Sequence, residues 1–284
     1  MQGRALWGHS PKNACRGETH ISTRKCRKIR PVNNDLELRE FFLLVFLRHL
    51  SQRFAGKKWA VRGASCMRFF HRSPRIPEEI ELDAEPRMNP ASIKEAVETV
   101  LENKVFATVI STKGIKSIKV SPAAKNAAAI SWKVIINTVN GRHITTGIEV
   151  GFRKKAPAFS TGAPALTILE RHAFQPFSAQ FYGADEMAAQ SISALVGAKR
   201  NASRYLFDLD RLFNSARVKP EMAAKLAVVK DIKPALGRVG TFTYSDFRKV
   251  LPFLDGDLLR LYTDPRTFGE IKSRVGKAIS RMVV

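Results

Sequence analysis

Arg75–Glu85 reads "RIPEEIELDAE", and its alternation decides the fold. Glu79, Glu81 and Asp83 fall at every second position, with Ile80 and Leu82 between them. Side chains two residues apart share a face of a strand, so this segment reads as a strand with one acidic and one apolar face. Three carboxylates in a row repel one another unless something positive sits among them. Bound divalent cations are one solution: hard oxygen ligands suit Mg²⁺ or Mn²⁺, which would neutralise phosphate oxygens during an in-line displacement. A solvated strand near a sheet edge, where charge blocks aggregation, is the other. The alternation alone leaves both open. A further carboxylate, Glu149, lies on the strand "HITTGIEVGF" at 143–152, opposite the face of Ile144, Ile148, Val150 and Phe152. It is the natural candidate to join the first set.

The 284 residues carry 48 Lys and Arg against 25 Asp and Glu, a formal net charge of +23. The excess is spread along the chain and favours encounters with polyanions, nucleic acid or nucleotides. Three cysteines make no disulfide framework and imply a reducing compartment. Cys15, Cys26, His9 and His20 fit no zinc spacing. The longest apolar run, "FFLLVFL" at 41–47, is too short to span a bilayer and reads as a buried helix face. A cytoplasmic protein with no membrane partner is expected.

Residues 1–33 are polar, basic and nearly free of acid, and read as a disordered arm. A transit peptide or a misassigned start are the alternatives. Asn34 with Glu37 resembles a capping box before a helix at 35–54. "RGAS" at 62–65 lies between the short strand "KKWAV" and a helix. Small residues there let backbone amides approach a phosphate, although such junctions are common. Asn89 and Pro90 open a helix with an Ile93, Val97, Val100 and Leu101 stripe. "VFATVIST" at 105–112, "IKSIKV" and "AISWKVIINTV" read as strands, and Asn140-Gly141 as a hairpin turn. From about 156 the pattern is mostly helical, with Asp185 as a cap, a Thr267–Glu270 capping box, and a linker near 153–165. The division expected is an arm at 1–33, an α/β core at 34–155 and a helical domain at 156–284. No P-loop, HExxH, GxSxG or CxxC occurs, and the scattered histidines offer no nucleophilic triad.

Four blocks, in order, carry a family resemblance. "RGASCMRFFHRSPRIPEEIELD" resembles Lys-Gly-Gly-Thr-Ala-Leu followed by Arg-Phe-Ser-x-Asp-Ile-Asp-Leu-Asp. "HITTGIEVGFRKK" is similar to Thr-Lys-Ile-Glu-Phe-Ser-Arg-Arg. "ADEMAAQSISALVG" resembles a helix with Gln-Lys-Ile-x-Ala-Leu, and "ASRYLFDLDRL" resembles Ala-Arg-Asp-Val-Phe-Asp-Leu. Together they resemble the AbiEii/AbiGii-type nucleotidyltransferase toxins of bacterial toxin–antitoxin and abortive-infection systems. That resemblance implies an α+β fold: a nucleotidyltransferase-like mixed sheet flanked by helices, with a helical C-terminal half. It implies a nucleoside triphosphate as substrate, Mg²⁺ or Mn²⁺, an RNA (tRNA), protein or small-molecule hydroxyl as acceptor, and a separately encoded antitoxin.

Carried over by position, Gly63, Ala64 and Ser65 would hold phosphates. Glu79, Glu81 and Asp83 would hold metal, and Glu149 would orient or deprotonate the attacking hydroxyl. Ser191, Arg204 and Asp208 would adjoin the nucleotide. Arg62, Arg68, Arg72 and Arg75 cluster beside the phosphate loop. The departures are Glu79 and Glu81 for aspartates, Ala64 for the second glycine, Ser191 for a lysine and Tyr205 for an aspartate. They imply either transfer through an altered site, or an inactive homologue that binds nucleic acid or a protein.

Overall fold

A computed structural model describes residues 35–283, apart from 57, 127, 153–158, 199–201, 216, 217, 219 and 228. The chain divides into units Met1–Pro31 and Val32–Val284, and every described residue lies in the second. The basic arm, the Asn34 cap and residues 153–158 of the 153–165 linker fall outside the described residues; within the rest of that stretch, Ser160–Gly162 form a strand rather than a linker.

In chain order the first elements are α1 (Asp35–Arg53), β1 (Trp59–Arg62), α2 (Gly63–Phe69), β2 (Glu79–Ala84), α3 (Pro90–Glu102), α4 (Lys104–Ser111), β3 (Ile115–Val120) and β4 (Ala124–Lys125). They are followed by β5 (Ala129–Thr138), β6 (His143–Phe152), β7 (Ser160–Gly162), α5 (Leu166–Arg171) and β8 (Ala179–Phe181). Among the described residues, seven further α-helices follow: α6 (Ala184–Gly197), α7 (Ser203–Asn214), α8 (Pro220–Leu226), α9 (Val229–Thr241), α10 (Tyr244–Arg248), α11 (Gly256–Tyr262) and α12 (Pro265–Ser280), with a single 3-10 turn at Leu251–Phe253.

The strands form one mixed sheet in the order β3-β5-β6-β2-β1-β8-β7, with β4 on the same side of β5 as β3. β2 runs parallel to β6, and β1 parallel to β8; the remaining neighbours are antiparallel. The apolar alternation places Ile130, Trp132, Val134, Ile136, Ile144, Ile148 and Val150 on the buried face. Helix α1 packs there with α3 and α4. It is apolar nearly all round, from Phe41 to Leu47, which suits a helix at the centre of the core. Helices α6, α7, α9 and α12 pack together as the C-terminal helical layer.

Several local readings change. "VFATVIST" is largely the helix α4. Its β-branched residues suggest a strand, but the Asn103 side chain accepts from the backbone N–H groups of Val105 and Phe106, and Phe106 and Ile110 meet the core one helical turn apart. Gly183, not Asp185, is the N-cap of α6. Asp264, followed by Pro265, caps α12 in place of Thr267. Asn89 caps α3 as its sequence indicates. Residues beyond 155 also supply two strands, β7 and β8. Each is three residues long, too short to carry a period.

Candidate active site

The strand register builds the site. Arg62 of β1 pairs with Glu81 of β2, and Glu81 pairs with Glu149 of β6. Partners in register share a sheet face, so these three side chains form one row across three adjacent strands. The Arg62 guanidinium sits at its centre. Nη1 lies 3.0 Å from Glu81 Oε1, Nε lies 3.1 Å from Asp83 Oδ1, and Nη2 donates to Glu149 Oε1.

Glycines make room for the acids. Gly63 has φ +61°, and a Cβ there would fall 1.8 Å from Glu81 Oε2. At Gly147 it would fall 3.0 Å from Glu79 Oε2, and at Gly151 3.0 Å from Asp83 Oδ1. Each carboxylate of β2 therefore lies against a glycine, two of them contributed by β6. Gly-x-Glu-x-Gly within a strand was the available signal, because an interior glycine often marks a close approach.

Beside this row opens a cleft of about 420 Å³, inside the range of small-molecule sites. Its walls are Arg62, Gly63, Ala64, Glu78, Glu79 and Glu81 from the sheet side, and Glu186, Gln190, Ser191, Arg204, Tyr205 and Asp208 from α6 and α7. Glu79 lies two residues before Glu81 on the same face of β2 and lines the cleft. Burial pushes its carboxyl above the usual range, the charges of Glu81, Glu149 and Glu78 push the same way, and Arg204 opposes them.

The remaining candidates divide between cleft and framework. Asp83 is buried and outside the cleft walls, with Arg62 on one oxygen and the Tyr182 hydroxyl donating to the other at 2.9 Å. Ser65 is buried, and its hydroxyl donates to the Glu79 carbonyl at 2.6 Å, which pins the start of β2. Arg68 is buried against Glu40 at 2.6 Å and Asp255 at 3.3 Å, away from the cleft. Ser191 and Arg204 do reach it, and the Arg204 guanidinium covers the Tyr205 ring, 4.8 Å from its centroid. Asp208 also lines it but is held by Arg75, whose Nε donates to Oδ1 at 3.2 Å and whose Nη2 donates to Oδ2. Glu149 touches the cleft set through Arg62 and does not itself line the wall.

Among the described residues no three His, Cys, Asp or Glu side chains stand in metal-ligating geometry. Of the β2 carboxylates, two line the cleft, Glu79 and Glu81, while Glu78, Glu186 and the Arg75-paired Asp208 stand elsewhere on its walls. The β2 pair fits Mg²⁺, which takes one or two protein carboxylates and completes its shell with water and phosphate oxygens. Asp83 does not fit, because both its oxygens are engaged below the surface. Among the described residues no helix is long and apolar enough to cross a membrane.

A mixed sheet with acids converging from β2 and β6 beside a glycine bend, faced by helices across a small-molecule cleft, defines a nucleotidyltransferase-like α+β protein. Among solved structures the chain is similar to MenT4, a nucleotidyltransferase toxin from Mycobacterium tuberculosis H37Rv, with TM-score 0.62 and 16% identity over 87% of this chain and 84% of that one. It is also similar to JHP933 from Helicobacter pylori, with TM-score 0.53 and 14% identity over 86% of this chain and 92% of that one. No curated protein matches the sequence. The family model for the nucleotidyl transferase AbiEii toxin of type IV toxin–antitoxin systems matches residues 45–261. The chain belongs to that family.

Proposed function

We propose that the chain is a toxin that binds a nucleoside triphosphate in the cleft and transfers its nucleotidyl group to a hydroxyl of RNA (tRNA), of a protein or of a small molecule, the hydroxyl oxygen bonding to the α-phosphorus as pyrophosphate leaves. The observation that carries this reading is the register that brings Glu149 beside Glu81 while Glu79 and Glu81 face a nucleotide-sized cleft. The Gly63–Ala64 backbone forms part of the wall and leaves space for phosphate oxygens. Ser191, Arg204 and Tyr205 border the nucleotide from the helical side. Glu79 and Glu81 would hold Mg²⁺ or Mn²⁺, which supplies Lewis-acid polarisation of the phosphate and neutralises its charge. Glu149, paired with Arg62, accepts the acceptor hydroxyl's proton or orients that hydroxyl. Asp83, Ser65 and Arg68 hold the framework. The toxin acts in the cytoplasm against a neutralising antitoxin encoded separately, and an abortive-infection role follows from the same family.

A second reading is favoured by Arg62 itself, which already neutralises part of the acidic row. On it the chain binds nucleotide or nucleic acid without turnover. One experiment separates the two. Purified protein is incubated with each labelled triphosphate, Mg²⁺ or Mn²⁺, and total RNA or protein. Transfer that Glu81→Gln abolishes supports the enzyme. Nucleotide binding without transfer supports the binding module. Neither binding nor transfer overturns both.

A further inference from the structure

We propose that Arg62 is the built-in second cation of this site, so that its carboxylates accept one divalent ion and not two. The inference rests on the reading that Glu79 and Glu81 hold a cation. Two-metal phosphoryl-transfer sites set their ions roughly 3.5–4 Å apart, bridged by shared carboxylates. Here the acids in register with Arg62 that would bridge a second ion in the row, Glu149 and Glu81 through its Oε1, already converge on the Arg62 guanidinium. Asp83 anchors the same group from below. The arrangement is fixed by backbone, not by a flexible reach: Arg62 ends β1 and sits in register with Glu81, which sits in register with Glu149. Arginine stays charged at any working pH, and its planar fork engages several carboxylates at once, so it is a permanent occupant. A divalent ion placed among the same oxygens would meet that charge at contact distance.

The test counts ions. Free Mn²⁺ is followed by its electron paramagnetic resonance signal while protein is added in the presence of a non-hydrolysable triphosphate analogue. Analogue binding is measured separately by calorimetry. The expected result is one Mn²⁺ per wild-type chain, one in Arg62→Lys, which keeps a cation, and two in Arg62→Ala. Two ions in the wild type, with the analogue bound, overturn the inference and leave the proposed function standing. A count of one in a folded Arg62→Ala protein also overturns it. If the wild type takes up neither Mn²⁺ nor analogue, the nucleotide reading falls and this inference with it. Thermal melting reports whether Arg62→Ala folds; where it does not, the wild-type count still decides, one ion supporting the inference and two overturning it.

Discussion

The Glu81 carboxylate lies directly over Gly63, so close that a methyl group at residue 63 would meet its Oε2 at 1.8 Å. Gly63 also has φ +61°, which an L side chain adopts at a cost of about 1–2 kcal/mol. Gly63→Ala therefore strains the bend and drives Glu81 out of the row with Arg62. The expected outcome is a stability loss of about 1–2 kcal/mol by chemical denaturation and a roughly hundredfold loss of nucleotidyl transfer, as a misplacement of about 1 Å produces. Adding Glu81→Asp draws the carboxylate back by one methylene and should recover part of both losses. Additive losses in the double variant would show that the contact is not what glycine serves here.

Asp83 and Glu81 share a face of β2 but perform different work. The Tyr182 hydroxyl donates to the buried Asp83 carboxylate, and Tyr182 follows β8, the neighbour of β1. Tyr182→Phe removes one donor from that carboxylate and should cost about 1–3 kcal/mol of stability. Transfer by the folded fraction should stay within a few-fold of wild type, whereas Glu81→Gln should lose transfer with little change in melting. A large loss of transfer at full stability in Tyr182→Phe would assign Asp83 to the chemistry.

These two acids also mark how far the sequence could be read. The period of two told which side chains share a face of β2, and it set Glu149 apart from the core face of β6. It said nothing of depth, so Asp83 counted as the equal of Glu81 until Tyr182 and Arg62 covered it. Arg62 stood next to Gly63 in plain view, but its place among the acids depends on the antiparallel pairing of β1 with β2, a contact no local pattern encodes. Helix α3 was legible because Asn89, Pro90 and an apolar stripe agree. Helix α4 was not, because its Val, Thr and Ile residues argue for a strand while one Asn103 cap and two core contacts decide otherwise.

Glu40 offers a pH test of the framework. It is fully buried in α1, within reach of Arg68, Arg171 and His172. Burial alone would raise its carboxyl, but the His172 and Arg68 contacts outweigh that and hold it at about 2, against 4.5 for the free side chain. A lowered folded-state value means that the stabilisation is complete above the unfolded value and is lost as pH falls. The gap corresponds to about 3 kcal/mol. Denaturation midpoints should therefore decline between about pH 4.5 and pH 2 more steeply in the wild type than in Glu40→Gln. That variant should already be roughly 3–5 kcal/mol less stable at neutral pH, since it removes the charged partner of the buried Arg68. Parallel pH profiles for the two proteins would refute the assignment.

Arg75 and Asp208 form the ion pair that joins the approach to β2 with helix α7, and both are buried. The backbone beside Arg75 is pinned as well: the Ile76 N–H donates to the Phe253 carbonyl at 2.7 Å, and the Asp255 N–H donates to the Pro74 carbonyl at 2.9 Å. Asp208 therefore has a structural partner before any nucleotide arrives. Breaking the pair from one side, by Asp208→Asn or Arg75→Ala, leaves an uncompensated buried group and should cost about 3–5 kcal/mol. Replacing both with apolar residues of similar size, Arg75→Met with Asp208→Leu, should recover much of that stability, because the desolvation of two charges is no longer required. The double variant separates framework from binding. If Asp208 serves only to hold α7 against the sheet, the recovered protein binds triphosphate as the wild type does. If its carboxylate also contacts the ligand, stability returns while affinity stays low, and a double-mutant cycle on binding resolves the two contributions.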